Sequence, residues 1–391
     1  MIPAARAQAA IEILDEVIAA AAGGGAAADT IVQRYFKTRR YAGSGDRRGV
    51  RELVYRAIRA WPEAPPSGRA ALLGLGDAEV AALFDGSAHG PAPRTQGEGD
   101  VRPEGAVPAW LRPRLDPLVA SEQASDLLGR APLDLRVNRL RGTREAALAA
   151  LGGEPTPLSP LGIRLPEGTA VEPTDAYRSG LVEVQDEGSQ LLALACGAAP
   201  DTIVIDLCAG AGGKTLALAA EMENRGRLVA TDVDRARLSR MAPRLARAGV
   251  ANVEARLLDP GRERAALAEL AQGADVVLVD APCSGTGTWR RNPELRWRLT
   301  DKRLAQLVKT QSYLIDLAAE LVRPGGILVY AVCSLLAEEG RGQAEALGRR
   351  SSLVPEAPPI PGGRPAGPGL MLTPGHDGTD GFFVARWRAP C

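Results

Sequence analysis

Ile203-Val204-Ile205-Asp206-Leu207-Cys208-Ala209-Gly210-Ala211-Gly212-Gly213-Lys214-Thr215 decides the fold. A short β-branched run ends on an acid, a glycine-rich turn follows, and a helical pattern opens after Lys214. Outward from this stretch the alternation repeats. Residues 227–232, 253–259, 275–280 and 327–333 read as further strands, with helical spacing between them, for example over 235–248 and 301–322. Strands alternating with helices predict a parallel, doubly wound, Rossmann-like α/β sheet. Residues 382–387 read as a closing strand.

In such a sheet, ligands bind outside the carboxyl ends of the strands. Asp206, Asp232, Asp259, Asp280 and Cys333 each stand at the expected end of one strand. A single terminal Asp is ordinary turn or cap chemistry; five chemistry-bearing residues at consecutive strand ends point to a site. The glycines at 210, 212 and 213 let the backbone approach a ligand closely. A phosphate loop of the form GxxxxGK[ST] demands Gly at 208, where Cys208 stands. A dinucleotide loop GxGxxG/A starting at Gly210 demands Gly or Ala at 215, where Thr215 stands. Both survive only as loose variants. An acid at Asp232 suits ribose hydroxyls, so a nucleoside cofactor without a phosphate-binding loop fits, and S-adenosylmethionine is one.

The 391 residues exceed the usual single domain. Residues 1–85 read as helices, with Ile11, Leu14 and Ile18 and then Leu53, Val54, Ala57 and Ile58 at helical spacing. Residues 86–108, rich in Gly and Pro, read as a linker. Residues 109–180 read as a small α+β module with a strand near 133–138, a helix over 144–151 and strands near Ile163 and Val171. Residues 181–391 form the α/β domain. Basic and acidic residues balance at 47 each, so a nucleic-acid surface must be local. Residues 1–60 carry such a local excess, ten Arg and Lys against six acids. The five cysteines form no CxxC pair, and neither His89 nor His376 has metal-ligand spacing to a cysteine, so neither a disulfide framework nor a metal site is expected. Asp15 and Glu16 interrupt the first apolar stretch, no uncharged run is long enough to span a bilayer, and a cytoplasmic monomer is expected.

The Asp206–Thr215 loop, the string Asp280-Ala281-Pro282-Cys283-Ser284-Gly285-Thr286-Gly287, Arg290 to Trp297, Tyr330-Ala331-Val332-Cys333-Ser334, Val184 to Gln190 and Asp380-Gly381-Phe382-Phe383 resemble the RsmB/Fmu/Sun family of RNA cytosine-C5 methyltransferases. The resemblance covers about 110–391 and reaches more weakly into the N-terminal helices, which look like a NusB-type RNA-binding bundle. It implies S-adenosylmethionine as cofactor. Cys208, Ala209, Gly210, Ala211, Gly212, Gly213 and Lys214 would contact it, with Asp232 at the ribose, Asp259 at the adenine and Asp280 at the active centre. It further implies Cys333 as nucleophile, Cys283 assisting product release, and Asp280 and Lys214 supporting the chemistry. Three positions depart from the family pattern. Gly210 and Ala211 stand for Ala-Pro, Val332 for Thr and Gly340 for Asn.

The implied reaction explains the residue types. Carbon 5 of cytosine is a poor nucleophile, and a thiolate bonded to carbon 6 makes it enamine-like. A thiol of ordinary pKa near about 8.5 needs help to ionise, for which Lys214 is placed. The base must be single-stranded or flipped out. Arg290, Arg291, Arg296 and Trp297 follow the Asp280 loop as arginines interleaved with an aromatic, and read as an RNA contact. Small-subunit rRNA is the favoured partner, with tRNA as alternative. A non-catalytic RNA-binding or ribosome-assembly factor and a nucleotide-dependent oxidoreductase remain open at this level.

Overall fold

Val204 and Ile205 lie at the middle of a nine-stranded sheet, fully buried on both faces. The computed structural model describes residues 1–99, 101, 104–119 and 124–391. They divide into two units, Met1–Pro113 with Gln123–Gly129 and Thr288–Asp301, and Arg114–Glu122 with Arg130–Gly287 and Lys302–Cys391.

The second unit holds two sheets. The smaller is antiparallel: β1 (Leu133–Val137), β2 (Glu154–Pro155), β3 (Gly162–Leu165) and β4 (Val182–Val184), in the order β2-β3-β1-β4. The expected strand at Val171 does not form; Val171 is buried in irregular chain, and β4 supplies that pairing instead. A domain boundary at 181 therefore cuts this sheet at its last strand. The helix Arg144–Leu151 has the expected limits, capped by the Thr143 hydroxyl, which accepts from Ala146 N.

The larger sheet contains β5 (Ile203–Asp206), β6 (Arg227–Asp232), β7 (Val253–Leu257), β8 (Ala274–Asp280), β9 (Val322–Val332), β10 (Val354–Glu356), β11 (Arg364–Ala366), β12 (Gly369–Leu372) and β13 (Phe382–Arg388). Its order is β11-β12-β13-β9-β8-β5-β6-β7, with β10 beside β13. Strands β5 to β9 are parallel to one another. Val204, Leu228, Val229, Val277, Leu278, Leu328 and Val329 are fully buried, the near-continuous apolar pattern of a parallel sheet covered on both faces. Strands β10 to β13 are antiparallel additions. Of these only β13 is legible in the sequence; the others are three or four residues long and carry Pro or Gly. Two further expectations are corrected. The third parallel strand stops at Leu257, two residues short of Asp259, and the expected helix over 235–248 breaks into Arg235–Leu238 and Met241–Ala248.

The first unit is helical. Pro3–Gly23 packs against Ser44–Ala60 and Gly68–Leu73 through Ile13, Leu14, Val17, Val54, Ile58 and Leu72, all fully buried. The described part of 86–108 is held to this bundle. The Arg69 guanidinium donates to the carbonyls of Ala92 and Pro93 and pairs with Glu98, and Ala106 and Val107 are buried.

Candidate active site

The strand order places β5 between β6 and β8, so the chain runs away from β5 in both directions and leaves a crevice at its carboxyl end. The loop after β5 fills one side of it. Gly210 and Gly212 adopt left-handed backbone with φ 57° and 86°, which only glycine takes without strain. The loop is held rigidly although it lacks the family's proline. Gly210 N donates to Asp232 Oδ2 at 2.8 Å, Ala209 N to the Thr231 carbonyl at 2.8 Å, and Arg244 to the Ala211 carbonyl at 2.7 Å. Gln185, from the 184–190 motif, reaches Gly213 O at 3.4 Å and Ser189 Oγ at 3.3 Å.

The loop leaves room beside its backbone. A methyl group built on Gly210 or Gly213 would meet nothing nearer than 3.9 Å, so open space faces the backbone there. Asp206 is wholly buried; Thr215 donates to its Oδ2 at 2.7 Å while Oδ1 has no partner. Burial pushes its carboxyl up to about 7, against the opposing hydrogen bond from Thr215. An unmet buried acceptor beside a glycine cradle suits a cationic ligand. Asp232, at the end of β6, is mostly buried and accepts Asp234 N at 2.7 Å as well as Gly210 N. Asp259 is exposed, beyond the end of β7, where Leu258 N is tied to the Asp232 carbonyl.

The neighbouring strands β8 and β9 bring the chemistry together. Asp280 ends β8 and Cys283 follows three residues later; Val332 ends β9 and Cys333 comes next. Cys283 Sγ and Cys333 Sγ are 3.3 Å apart, both half-buried. Lys214 Nζ donates to Asp280 Oδ2 at 2.7 Å. Burial acts to lower the Lys214 pKa, but the Asp280 carboxylate and the charge of Cys333 hold it above its ordinary value. The hydrogen bond with Cys333, together with burial, pushes the Cys283 thiol well up. Burial does the same to Cys208, which sits half-buried in the loop.

The motif glycines explain themselves here. A methyl group on Gly287 would come within 1.9 Å of the Gly381 carbonyl. That contact carries hydrogen bonds, Gly381 N to Gly287 O at 2.8 Å and Gly287 N to Cys333 O at 3.0 Å. Three separate motifs therefore interlock behind the cysteine pair. Gly340 is also required as glycine, since an added methyl would lie 2.8 Å from the Phe383 ring.

The expected RNA contact at 290–297 is corrected. Arg290, Arg296 and Trp297 are buried within the helical unit. The Arg296 guanidinium donates to the carbonyls of Pro293, Ala106, Ile58 and Arg59, and Trp297 Nε1 to the Trp61 carbonyl at 2.9 Å. Side chains spent on internal carbonyls are not available to phosphates; Arg291 is half-buried. Sequence reasoning also passed over Glu339, whose carboxylate is at the centre of a buried network described below. The serines directly after each cysteine were its visible signal.

The fold and the glycine loop define the class, a Rossmann-like α/β sheet with an open loop at its switch point. Residues 193–388 match the model of the 16S rRNA methyltransferase RsmB/F family, and the chain belongs to that family. Ribosomal RNA small subunit methyltransferase B of Salmonella typhi and that of Salmonella paratyphi B are each 35% identical over 288 residues. The match takes in 71% of this chain and 65% of theirs, so the chain spans about two thirds, slightly less, of the length of these relatives. Among solved structures, PH0851 superposes with a TM-score of 0.75 at 23% identity over 99% of both chains. A methyltransferase homolog from Pyrococcus horikoshii superposes at 0.62 and 28% identity, covering 71% of this chain and 93% of that one. NSun6 from Pyrococcus horikoshii, solved with SFG, gives 0.64 at 23% identity over 72% and 98%.

Proposed function

We propose that this protein methylates carbon 5 of a cytosine in RNA, with small-subunit rRNA as the substrate, through a covalent bond between Cys333 and carbon 6. The observation that carries the reading is the 3.3 Å approach of two thiols beside the Lys214–Asp280 ion pair, at the end of the strands that flank the cofactor cradle. The relatives named for ribosomal RNA supply the substrate class. Exposed Lys37, Arg40, Arg47 and Arg48 on the helical unit supply a basic patch suited to phosphates.

S-adenosylmethionine, when bound, supplies an electrophilic methyl carbon. Residues 208–214 and Asp232 would hold it, with Asp259 toward the base and the unmet oxygen of Asp206 suited to its positive charge. The chain's own residues do the rest. In the proposed first step Cys333 gives its proton to solvent, the Lys214 ammonium favouring the thiolate, while Cys283 keeps its own proton. The Cys333 lone pair forms the Sγ–C6 bond, and the C5–C6 pair becomes available at carbon 5. Asp280, already held by Lys214, accepts from the exocyclic amine and orients the ring. Once Cys333 is bonded to carbon, the charge that held the Cys283 proton is gone. Cys283 then loses that proton to solvent and takes the proton from methylated carbon 5; the C5–H pair re-forms the double bond and the Sγ–C6 pair returns to Cys333.

The test is methyl transfer to small-subunit rRNA from labelled S-adenosylmethionine, with the product mapped by bisulfite sequencing. Label in 5-methylcytosine supports the reading; label on another atom, or on tRNA alone, overturns the chemistry or the substrate respectively.

A further inference from the structure

Glu339 is fully buried, and among the described residues no cation pairs with it. Its carboxylate instead collects four hydrogen bonds. Oε1 accepts from Ser284 N at 2.9 Å and from Gln311 Nε2 at 2.9 Å; Oε2 accepts from Ser284 Oγ and Ser334 Oγ, each at 2.5 Å. Gln311 also donates to the Pro282 carbonyl at 3.0 Å, and the buried Tyr330 hydroxyl to the Glu339 carbonyl at 2.5 Å. Ser284 directly follows Cys283, and Ser334 directly follows Cys333. Thr286 completes the stitch, accepting Leu335 N at 2.8 Å and lying 3.2 Å from Ser334 Oγ. One carboxylate thus ties the backbone and side chain after one cysteine to the side chain after the other.

We propose that Glu339 is the positioning residue that fixes the distance between the two thiols. Gaps between loops are normally closed by apolar side chains. A buried carboxylate with no cation is expensive to desolvate, and for packing alone an apolar residue of the same size serves better. What the carboxylate provides is directional. Four donors arriving from two loops and one helix leave each loop a single position, and short hydrogen bonds to an ionised acceptor are the stiff kind. The loops carry groups that must meet one pyrimidine from fixed directions, where a displacement of about 1 Å lowers rate about a hundredfold. Glu339 touches no reacting atom; it acts through Ser284 and Ser334. Its charge also adds to the forces that keep the Cys283 proton in place.

This inference rests on the reading of the two cysteines as the reacting pair, and its test separates the two. In the full chain without RNA, diamide, a two-electron thiol oxidant that becomes its hydrazine, converts two adjacent thiols to a disulfide. The rate of forming the Cys283–Cys333 bond, followed by mass spectrometry, reports their proximity. Glu339→Gln keeps the shape but presents an amide to the donors, and Ser334→Ala removes one donor. The expected result is a cross-linking rate at least about tenfold below wild type in Glu339→Gln, an intermediate rate in Ser334→Ala, and binding of S-adenosylmethionine within about twofold of wild type in both. On RNA, kcat falls with KM unchanged. Should Glu339→Gln fail to fold, Ser334→Ala decides alone. Cross-linking within about twofold of wild type in every folded variant overturns the proposal. A wild-type protein that cross-links as expected but does not methylate cytosine overturns the function and leaves the clamp standing.

Discussion

Cys283 Sγ and Cys333 Sγ, fifty positions apart in sequence, meet at 3.3 Å at the ends of adjacent parallel strands. Either sulfur can be the donor in that contact, and the hydrogen bond with Cys333, together with burial, pushes the Cys283 thiol well up. The two thiols should therefore behave differently when removed. Cys333→Ala is expected to abolish methyl transfer, a loss of at least about 10⁴-fold, with cofactor affinity kept. Cys283→Ala is expected to form the bond to carbon 6 and fail to release it, leaving a protein–RNA adduct that survives denaturing electrophoresis. An adduct in Cys333→Ala, and none in Cys283→Ala, would reverse the roles.

Lys214 is paired with Asp280 and interacts electrostatically with Cys333. Lys214→Met removes the charge while keeping most of the volume. Cys333 then ionises less readily, so turnover at neutral pH should fall at least about tenfold. Turnover should recover as pH rises, because alkali supplies the thiolate that Lys214 no longer favours. A loss that is flat with pH, accompanied by weaker cofactor binding, would assign Lys214 to the cofactor instead.

The parts of this arrangement that were legible in the sequence share a physical property: they are local. The β5 loop declares itself through glycines that a left-handed backbone requires, and the parallel strands through unbroken apolar runs ending in acids. Asp280, Cys283 and Cys333 follow from strand ends and from adjacency in a parallel sheet. Arg296 and Trp297 were misread because nothing local distinguishes an arginine bound to phosphate from one bound to the carbonyls of Ile58 and Ala106, which lie about two hundred positions away. Glu339 was passed over for the same reason. Its partners come from Ser284, Gln311 and Ser334, and only the folded chain puts them around one carboxylate. The absent strand at Val171 is a case of apolar burial without pairing.

Asp206 links stability to pH. Burial raises its carboxyl to about 7 in the folded chain, whereas the unfolded chain titrates in the ordinary range of about 4. The folded state thus holds a proton that the unfolded state has released across that window. Its contribution is complete below the unfolded value and is lost as pH rises through the folded one. Tm of the free protein should accordingly decline between about pH 5 and about pH 8 more steeply in wild type than in Asp206→Asn, which carries no titrating proton there. Parallel Tm curves for the two proteins would show that Asp206 does not titrate in this interval.

Arg296 offers a sharp contrast between a structural and an RNA-binding role. Its guanidinium satisfies four carbonyls in the interior of the helical unit, and only about 2% of the residue is exposed. Arg296→Met fills much of the space but leaves those acceptors buried without donors. Breaking a buried charged network from one side costs about 3–5 kcal/mol, and the helical unit should unfold at correspondingly lower denaturant. Unit two contains all the residues proposed to hold the cofactor, so S-adenosylmethionine binding should survive. An arginine that gripped RNA would give the opposite pair of results, unchanged denaturation and weaker, less salt-sensitive RNA binding. Measuring the denaturation midpoint and the salt slope on the same variant therefore decides between the two, since no single role moves both in the same way.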